Sequence, residues 1–366
     1  MTKTSETSSP EPPSSMRVGI RTASISEERL RFIKQIGVTD VFLEHSSLDE
    51  EPGEFLDGSG EHTRLVLHED KIPSSEDLIA ARERVETAGL RLSGIHSLPY
   101  SLYGPIMFDT DECSDRIQLV KELLANLGEA GIPILGYQWN PRGLVPMRTG
   151  HRSDIRGGAH ATAFDLDELD DPFAVADTVD RAYTETEFWE NYERFVEAVI
   201  PAAETADVQM ALHPVDPPGI EQMGGIPRLF RDVHAFERAM EIVPSDYHGL
   251  KLCLGCFSQL GEDIPGLIRR FGERDQIIFV HFRDVVGTVP TFHETFIDEG
   301  NFEPLAAIRA LDEVGFTGAL LPDHVPQIEG DSQWGHRANA YTVGYLRALI
   351  ATVNDERQQR QAQVHR

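Results

Sequence analysis

The chain has few cysteines and no long apolar run. Three cysteines in 366 residues are too few for a disulfide framework, which fits a reducing compartment. No apolar run approaches the roughly 20 residues that a membrane-spanning helix needs, and the N-terminus lacks the basic, then apolar pattern of a secretion signal. We therefore expect a cytoplasmic protein that does not enter a membrane.

Positive charge is also scarce. With 61 acidic and 33 basic residues the net charge is -28, and such a field repels nucleic acids and anionic membrane surfaces. We expect neither as a partner, and local cations must hold any anionic substrate. Only five basic residues are lysines, the rest being arginines. This skew fits either a high-salt cytoplasm with an acidic proteome or a GC-rich genome.

The order of apolar runs predicts the fold. Residues 1–15 predict a disordered N-terminal segment and residues 355–366 a polar C-terminal tail, because neither can bury apolar surface. Between them, over 16–354, stretches with helical spacing follow short apolar runs. Those runs are 17–22, 38–45, 90–99, 132–140, 208–214, 249–255, 277–284 and 318–325. Eight strand-then-helix units predict an α/β fold, a single (β/α)8 TIM barrel with a long insertion after the fourth strand. An open doubly wound sheet is the alternative, but no G-x-G-x-x-G follows the first strand.

Polar donors end four consecutive predicted strands. In a barrel of this class the carboxyl ends of the strands share one mouth. The donors there are His213, Cys253, His281 and Asp323. Each alone has an ordinary explanation as a core histidine, an apolar filler or a helix cap. Together they would leave several desolvated polar groups unpaired without a cation, so the pattern predicts a divalent metal site.

A second cysteine complicates this site. Cys253 and Cys256 have the C-x-x-C spacing, which leaves open a redox dithiol or half of a zinc site. The sequence contains no second C-x-x-C to complete a zinc site.

Five short motifs occur in a fixed order: "HPVDPP", "LCLG", "VHFRD", "TFHE" and "PDH". From about Leu90 to Leu349 this order resembles the mannonate dehydratases, metal-dependent barrels of the xylose isomerase-like group. The resemblance implies that His213, Cys253, His281 and Asp323 hold the metal, usually Mn²⁺. A thiolate is softer than manganese prefers, so coordination chemistry alone favours zinc or iron, and Fe²⁺, Co²⁺ and Zn²⁺ stay open.

The resemblance also implies a reaction, the hydro-lyase step of hexuronate catabolism that converts D-mannonate to 2-keto-3-deoxy-D-gluconate and water. Taking the C2 proton builds an enediolate, which a metal on the carboxylate stabilises. A base must take that proton and an acid must protonate the departing C3 hydroxyl. His324 and Tyr341 are the implied pair, in an order that the sequence does not decide. The expected partner is a small sugar acid, with homo-oligomer formation left open.

Further residues are predicted to contact the substrate. Asp216 follows His213 in a proline-rich loop, which is either a substrate contact or a plain turn. The insertion at 141–180 is rich in arginine and predicts a lid over the substrate, the alternative being a charged surface insertion. The candidate substrate-binding residues are Asp216, His293, Glu294, Arg148 and His96.

Three positions depart from the family pattern. Leu321, Val325 and His96 stand where Arg, Gly and Glu are more usual. These three positions lie at the predicted mouth of the barrel, so a related sugar acid is an open alternative to mannonate as the substrate. Two other functions stay open as well: a metal-dependent sugar isomerase or epimerase on the same barrel, and a sugar-acid binding protein without catalysis.

Overall fold

The computed structural model of the protein describes residues 16–44, 72–332 and 334–364. The predicted disordered segment 1–15 lies outside the described residues. Eight parallel strands close into a barrel. They are β1 (Arg17–Thr22), β2 (Asp40–Leu43), β3 (Arg91–Ile95), β4 (Ile134–Gln138), β7 (Gln209–His213), β10 (His248–Cys253), β11 (Ile277–His281) and β14 (Ala319–Leu321). Their order around the barrel is β1-β14-β11-β10-β7-β4-β3-β2. All eight predicted strands are confirmed, and the closed barrel excludes the open sheet.

Helices cover the barrel. They are α1 (Glu27–Gln35), α2 (Ser75–Thr87), α3 (Tyr100–Met107), α4 (Cys113–Glu129), α5 (Glu185–Ala206), α6 (Val233–Ile242), α7 (Leu254–Gln259), α8 (Ile264–Gly272), α9 (Pro304–Glu313) and α10 (His336–Val364). Local signals fix several ends. Ser74 and Thr184 open α2 and α5 as reciprocal capping boxes, which satisfy backbone N–H groups that a helix leaves free. Gly89, with φ +73°, follows α2 in the left-handed conformation that favours glycine.

Apolar side chains fill the barrel interior and the space between strands and helices. Phe42 on β2 and Phe279 on β11 meet inside the barrel with ring centroids 4.7 Å apart. Both are fully buried, together with Ala211 and Leu321 of other strands. This packed interior closes the barrel below its carboxyl end, so polar side chains at the strand ends lie above an apolar floor.

The predicted lid is part of a small antiparallel sheet. The insertion contributes β5 (Gly150–Arg152) and β6 (Ala161–Asp165), and the segment after β11 contributes β12 (Val285–Thr288) and β13 (Thr291–Glu294). They pair in the order β12-β13-β6-β5. A two-stranded ribbon, β8 (Gln222–Met223) with β9 (Ile226–Pro227), follows β7. Two long connections at the carboxyl end of the barrel therefore support one another through backbone pairing.

The C-terminal boundary differs from the predicted one. Helix α10 continues through position 354 to Val364. Arg357 and Arg360 on its last turns form ion pairs with Asp312 of α9, so the polar segment is helical as far as Val364. Among the described residues, no helix is long and apolar enough to cross a membrane.

Candidate active site and metal centre

The four predicted metal ligands converge at the mouth of the barrel. His213, Cys253 and His281 are the last residues of β7, β10 and β11, and Asp323 lies two residues beyond β14. The register places Cys253 opposite His281 on the adjacent strand. One ligand atom from each of the four residues lies within 4.8 Å of the others. We call these four residues the ligand cluster.

Unpaired atoms show where a cation fits. Nε2 of His213, Nδ1 of His281 and Oδ1 of Asp323 are buried without a hydrogen-bond partner among the described residues. The second ring nitrogen of each histidine is engaged: Nδ1 of His213 lies 2.7 Å from the carbonyl of Pro214, and Nε2 of His281 lies 2.9 Å from Nε2 of His96. Leaving three such atoms unpaired is costly. A divalent metal bound by this N, S, O set removes that cost.

The charge states suit metal binding. Burial alone would raise the pKa of Cys253, but a hydrogen bond from Cys256 and the charge of Arg283 bring that pKa well below its usual value. Burial and the hydrogen bond to Cys253 raise the pKa of Cys256. The C-x-x-C pair thus holds one thiolate and one thiol that donates to it. Burial lowers the pKa of His213, which keeps its imidazole neutral as a ligand must be.

A second cluster lies beside the first. Arg148 from the insertion reaches Asp216 with two hydrogen bonds of 2.8 and 2.9 Å and also contacts Glu294 at the end of β13. Arg283 lies 2.8 Å from Asp216 and 2.7 Å from Glu294. Burial opposes ionisation of both carboxylates, but the two arginines hold the pKa of Asp216 and Glu294 below the usual range. We call Arg148, Asp216, Arg283 and Glu294 the arginine–carboxylate cluster.

Arg283 joins the two clusters. Its Nε lies 3.2 Å from Oδ2 of Asp323, and its Nη2 lies 3.3 Å from the sulfur of Cys256. The side chain is almost fully buried. One guanidinium therefore contacts the predicted metal ligand Asp323 through Nε and both carboxylates of the arginine–carboxylate cluster through its two Nη atoms. Only arginine carries three nitrogens in a planar fork that can pair with three carboxylates in this way.

His324 occupies the position between the clusters. Its backbone φ of +43° shows that the chain has left the strand at "PDHV", which lets adjacent Asp323 and His324 both reach the mouth. Nδ1 lies 3.3 Å from Oε1 of Glu294 and Nε2 lies 3.7 Å from Oδ2 of Asp323. The side chain is 23% exposed, so it is accessible to a ligand in the mouth.

A cavity of about 500 Å³ opens over Asp323 and His324. Its wall includes two cations that the sequence did not single out, Arg21 and Arg29. Arg21 pairs with Glu44 at 3.3 Å and lies 3.5 Å from Asp323. Arg29 is 7% exposed, donates through Nε to Thr22, and its Nη1 has no partner among the described residues. The mouth thus holds positive charge in an acidic chain.

Other predicted residues lie elsewhere. The hydroxyl of Tyr341 is 3.3 Å from Arg156, and its ring packs on Phe296 and Tyr345. None of its contacts among the described residues reaches either cluster. His293 bonds through Nδ1 to the carbonyl of Glu294 on the small sheet. His96 stacks on His281, so it supports a ligand instead of lining the cavity.

The sequence reasoning missed several residues of the site. Arg283 belongs to the quoted motif "VHFRD", so its proximity to His281 was a usable signal. Lys251 lies two residues before Cys253 and is 1% exposed. A lysine within an otherwise apolar strand run was also a signal, because buried lysines are rare. Arg21 and Arg29 carried no local pattern that distinguishes them from surface arginines.

Comparison with known proteins agrees with this geometry. The sequence model of the D-mannonate dehydratase family matches residues 29–182 and 177–360. A mannonate dehydratase of Streptococcus pneumoniae is 30% identical over 307 residues, which cover 76% of this chain and 80% of that protein. The crystal structure of mannonate dehydratase from Streptococcus suis serotype 2 superposes with a TM-score of 0.78 at 24% identity, covering 94% of this chain and 95% of the other. A structure of L-ribulose 3-epimerase reaches a TM-score of 0.58 at 14% identity, with coverage of 94% and 97%.

The barrel and its ligand cluster define a TIM-barrel protein with four side chains at the carboxyl ends of its strands that could hold a metal ion. The chain belongs to the D-mannonate dehydratase family.

Proposed function

We propose that the protein is a hydro-lyase that removes water from D-mannonate, or from a related sugar acid, to give 2-keto-3-deoxy-D-gluconate or its counterpart. One observation carries the proposal: Asp323 of the ligand cluster and an accessible histidine, His324, line the same cavity. Membership of the D-mannonate dehydratase family supports the substrate. Among the solved structures, the lower similarity to L-ribulose 3-epimerase makes the isomerase or epimerase alternative less favoured.

His213, Cys253, His281 and Asp323 would hold the metal. A divalent cation bound there supplies positive charge beside the substrate carboxylate and so lowers the free-energy cost of removing the C2 proton. We propose Mn²⁺ on the family resemblance. The Cys253 thiolate is a softer ligand than Mn²⁺ prefers, so reconstitution has to compare Mn²⁺ with Fe²⁺, Co²⁺ and Zn²⁺.

His324 is the proposed acid/base residue. Its Nδ1 lies 3.3 Å from Oε1 of Glu294 and 3.2 Å from Nη2 of Arg148. The carboxylate favours a proton on Nδ1, whereas the guanidinium, which can only donate, favours a lone pair there. His324 can therefore serve as the base at C2 or as the acid at the C3 oxygen, and we assign it one of these two proton transfers. Tyr341 receives no step, because its hydroxyl contacts Arg156 instead of the cavity side chains.

Arg21 and Arg29 are the proposed substrate cations. In a chain of net charge -28, an anionic substrate approaches only where local positive charge offsets the field. Burial lowers the pKa of Arg29 to about 10, so it stays protonated near neutral pH. A desolvated guanidinium with an unpaired N–H can donate a charge-assisted hydrogen bond to an anionic or hydroxyl oxygen of the substrate.

Product analysis tests the proposed function. Metal-free protein is reloaded with each of the four metals and incubated with D-mannonate and a panel of other aldonic acids. The proposal predicts a 3-deoxy-2-keto acid from mannonate or one related acid, formed about 100-fold more slowly by His324→Asn. A product with the same elemental formula as its substrate would indicate isomerisation or epimerisation. Binding without exchange of the C2 proton in deuterated water would indicate a sugar-acid binding protein.

A further inference from the structure

His96 is a buried histidine that the proposed chemistry does not use. It directly follows β3 and is 5% exposed. Its ring stacks on that of His281 with centroids 4.9 Å apart and planes within 8°, and the two Nε2 atoms are 2.9 Å apart. A nitrogen–nitrogen distance of this size is a hydrogen bond, so one of the two atoms carries the proton.

The position of the metal site decides which atom donates. Nδ1 of His281 faces the ligand cluster, 3.2 Å from Oδ2 of Asp323, and has no hydrogen-bond partner among the described residues. A metal-ligating nitrogen must be deprotonated. The proton of neutral His281 therefore lies on Nε2, and Nε2 of His96 is the acceptor.

We propose that His96 is a positioning residue that accepts the Nε2–H of His281 and so holds its Nδ1 toward the metal. The inference rests on the metal site of the proposed function. It changes the role expected of His96 from a substrate contact to a support for a metal ligand. Outer partners of this kind fix both the tautomer and the ring orientation of the ligand.

The backbone around His96 is fixed by three neighbours. Its N–H donates to the carbonyl of Leu43 at 2.7 Å. Its carbonyl accepts from Nζ of Lys251 at 2.8 Å. A side chain at Gly136 of β4 would place its Cβ 2.1 Å from that carbonyl, so the glycine allows the close approach. The imidazole is thus held by backbone contacts that a substrate would not alter.

The two predicted histidine ligands have outer partners of the same kind. Nδ1 of His213 lies 2.7 Å from the carbonyl of Pro214, and Nε2 of His281 lies 2.9 Å from Nε2 of His96. In both pairs the histidine of the ligand cluster donates. The negative charge of the ligand cluster comes only from Cys253 and Asp323, which balances a divalent cation and leaves the substrate carboxylate as the next anion.

Three substitutions at one position test the proposal, with Mn²⁺ itself as the probe. His96→Gln keeps an acceptor, His96→Leu removes it, and His96→Glu adds a charge. His248→Gln is the matched control, because His248 is equally buried at the opposite end of β10 and hydrogen-bonds Tyr137. Mn²⁺ dissociation constants are measured by electron paramagnetic resonance of the free ion, and pulsed spectra count the directly bound nitrogens. Thermal melting of each metal-free variant confirms folding.

The proposal predicts that the Kd for Mn²⁺ is about 10- to 100-fold higher in His96→Leu and changes only a few-fold in His96→Gln and His248→Gln. His96→Glu should bind Mn²⁺ more tightly. Every variant should show two bound nitrogens. A folded His96→Leu with wild-type Mn²⁺ affinity would overturn it. Three nitrogens in the wild type and two in His96→Gln would also overturn it, because His96 would then be a direct ligand. Normal Mn²⁺ binding without mannonate turnover would contradict the proposed function and leave this inference intact.

Discussion

The ligand cluster and the arginine–carboxylate cluster have similar donors but differ in how many of them are hydrogen-bonded. Each groups carboxylate and imidazole atoms closely enough to hold a cation when His324 is counted with Asp216 and Glu294. In the ligand cluster, three ligand atoms have no hydrogen-bond partner among the described residues. In the arginine–carboxylate cluster, Arg148 and Arg283 pair with both carboxylates, and of the carboxylate oxygens only Oε2 of Glu294 has no partner among those residues.

This difference separates two uses of buried charge. A carboxylate whose charge is balanced by guanidinium groups has little to gain from a metal, whereas orphaned histidine and aspartate atoms do. The first cluster is therefore prepared for a metal, and the second holds His324 and the insertion in place. Four variants test this division, from the largest expected effect to the smallest.

Arg283→Met should have the largest effect on stability. It leaves buried Asp216, Glu294 and Asp323 without one of their cations, and breaking a buried pair in this way costs about 3–5 kcal/mol. Urea unfolding of the metal-free protein measures the loss. Arg152→Met, which breaks an exposed pair with Asp154, is the control and should leave the unfolding midpoint unchanged. An equal midpoint for both variants would contradict the structural role of the cluster.

His324→Asn should lower turnover about 100-fold while metal content and melting temperature stay at wild-type values, since general acid or base catalysis is worth at least that factor. Steady-state kinetics on metal-replete protein measures the change. Tyr341→Phe is run in parallel. Its contacts predict near wild-type turnover. A fall in turnover as large as that of His324→Asn would show that the tyrosine hydroxyl takes part in the reaction.

Arg29→Met should raise KM about 10-fold with a smaller change in kcat, which corresponds to about 1.4 kcal/mol of lost substrate binding. The methionine keeps the apolar packing against Phe32 and Trp334, whose ring centroids lie 5.5 Å from the guanidinium. Kinetics at low and high salt measure the effect. An unchanged KM would assign Arg29 to packing alone.

At neutral pH, substitution of His248 should have the smallest effect, because the contribution of this residue, far from the site, is a pH dependence of stability that develops only in acid. Burial lowers its pKa to about 3, so between about pH 3 and the unfolded value near 6.5 the folded state binds fewer protons than the unfolded state. Stability linked to His248 is therefore lost as pH falls through this window, by at most about 1.4 kcal/mol per pH unit. Urea unfolding from pH 7 to 4 should show a shallower loss in His248→Gln than in the wild type. Parallel curves would contradict the assignment.

The sequence predicted the barrel because its strands are continuous apolar runs of ordinary length between turn signals. Such runs are recognised directly from the pattern of apolar residues along the chain. It predicted that His213, Cys253 and His281 come together because all three end strands, and strand ends of one barrel converge. Only local order along the chain was needed for both.

The remaining contacts depend on tertiary pairing. Arg283 pairs with Glu294, and the hairpin of β12 and β13 sets the distance between these two residues. Arg148 reaches Asp216 only because β6 pairs with β13. His96 was predicted as a substrate contact, but the barrel closure places it against His281. Patterns of residue type cannot report which loops pair above a barrel.

Metal content tests the central claim most directly. Metal-free wild type, Cys253→Ala, Cys256→Ser and Glu294→Gln are loaded with Mn²⁺, freed of excess metal and analysed for bound metal per chain, with melting temperature as the check on folding. The account predicts one bound ion in the wild type, Cys256→Ser and Glu294→Gln, and its loss in folded Cys253→Ala. Full occupancy in Cys253→Ala together with loss in Glu294→Gln would place the metal in the other cluster and contradict the account.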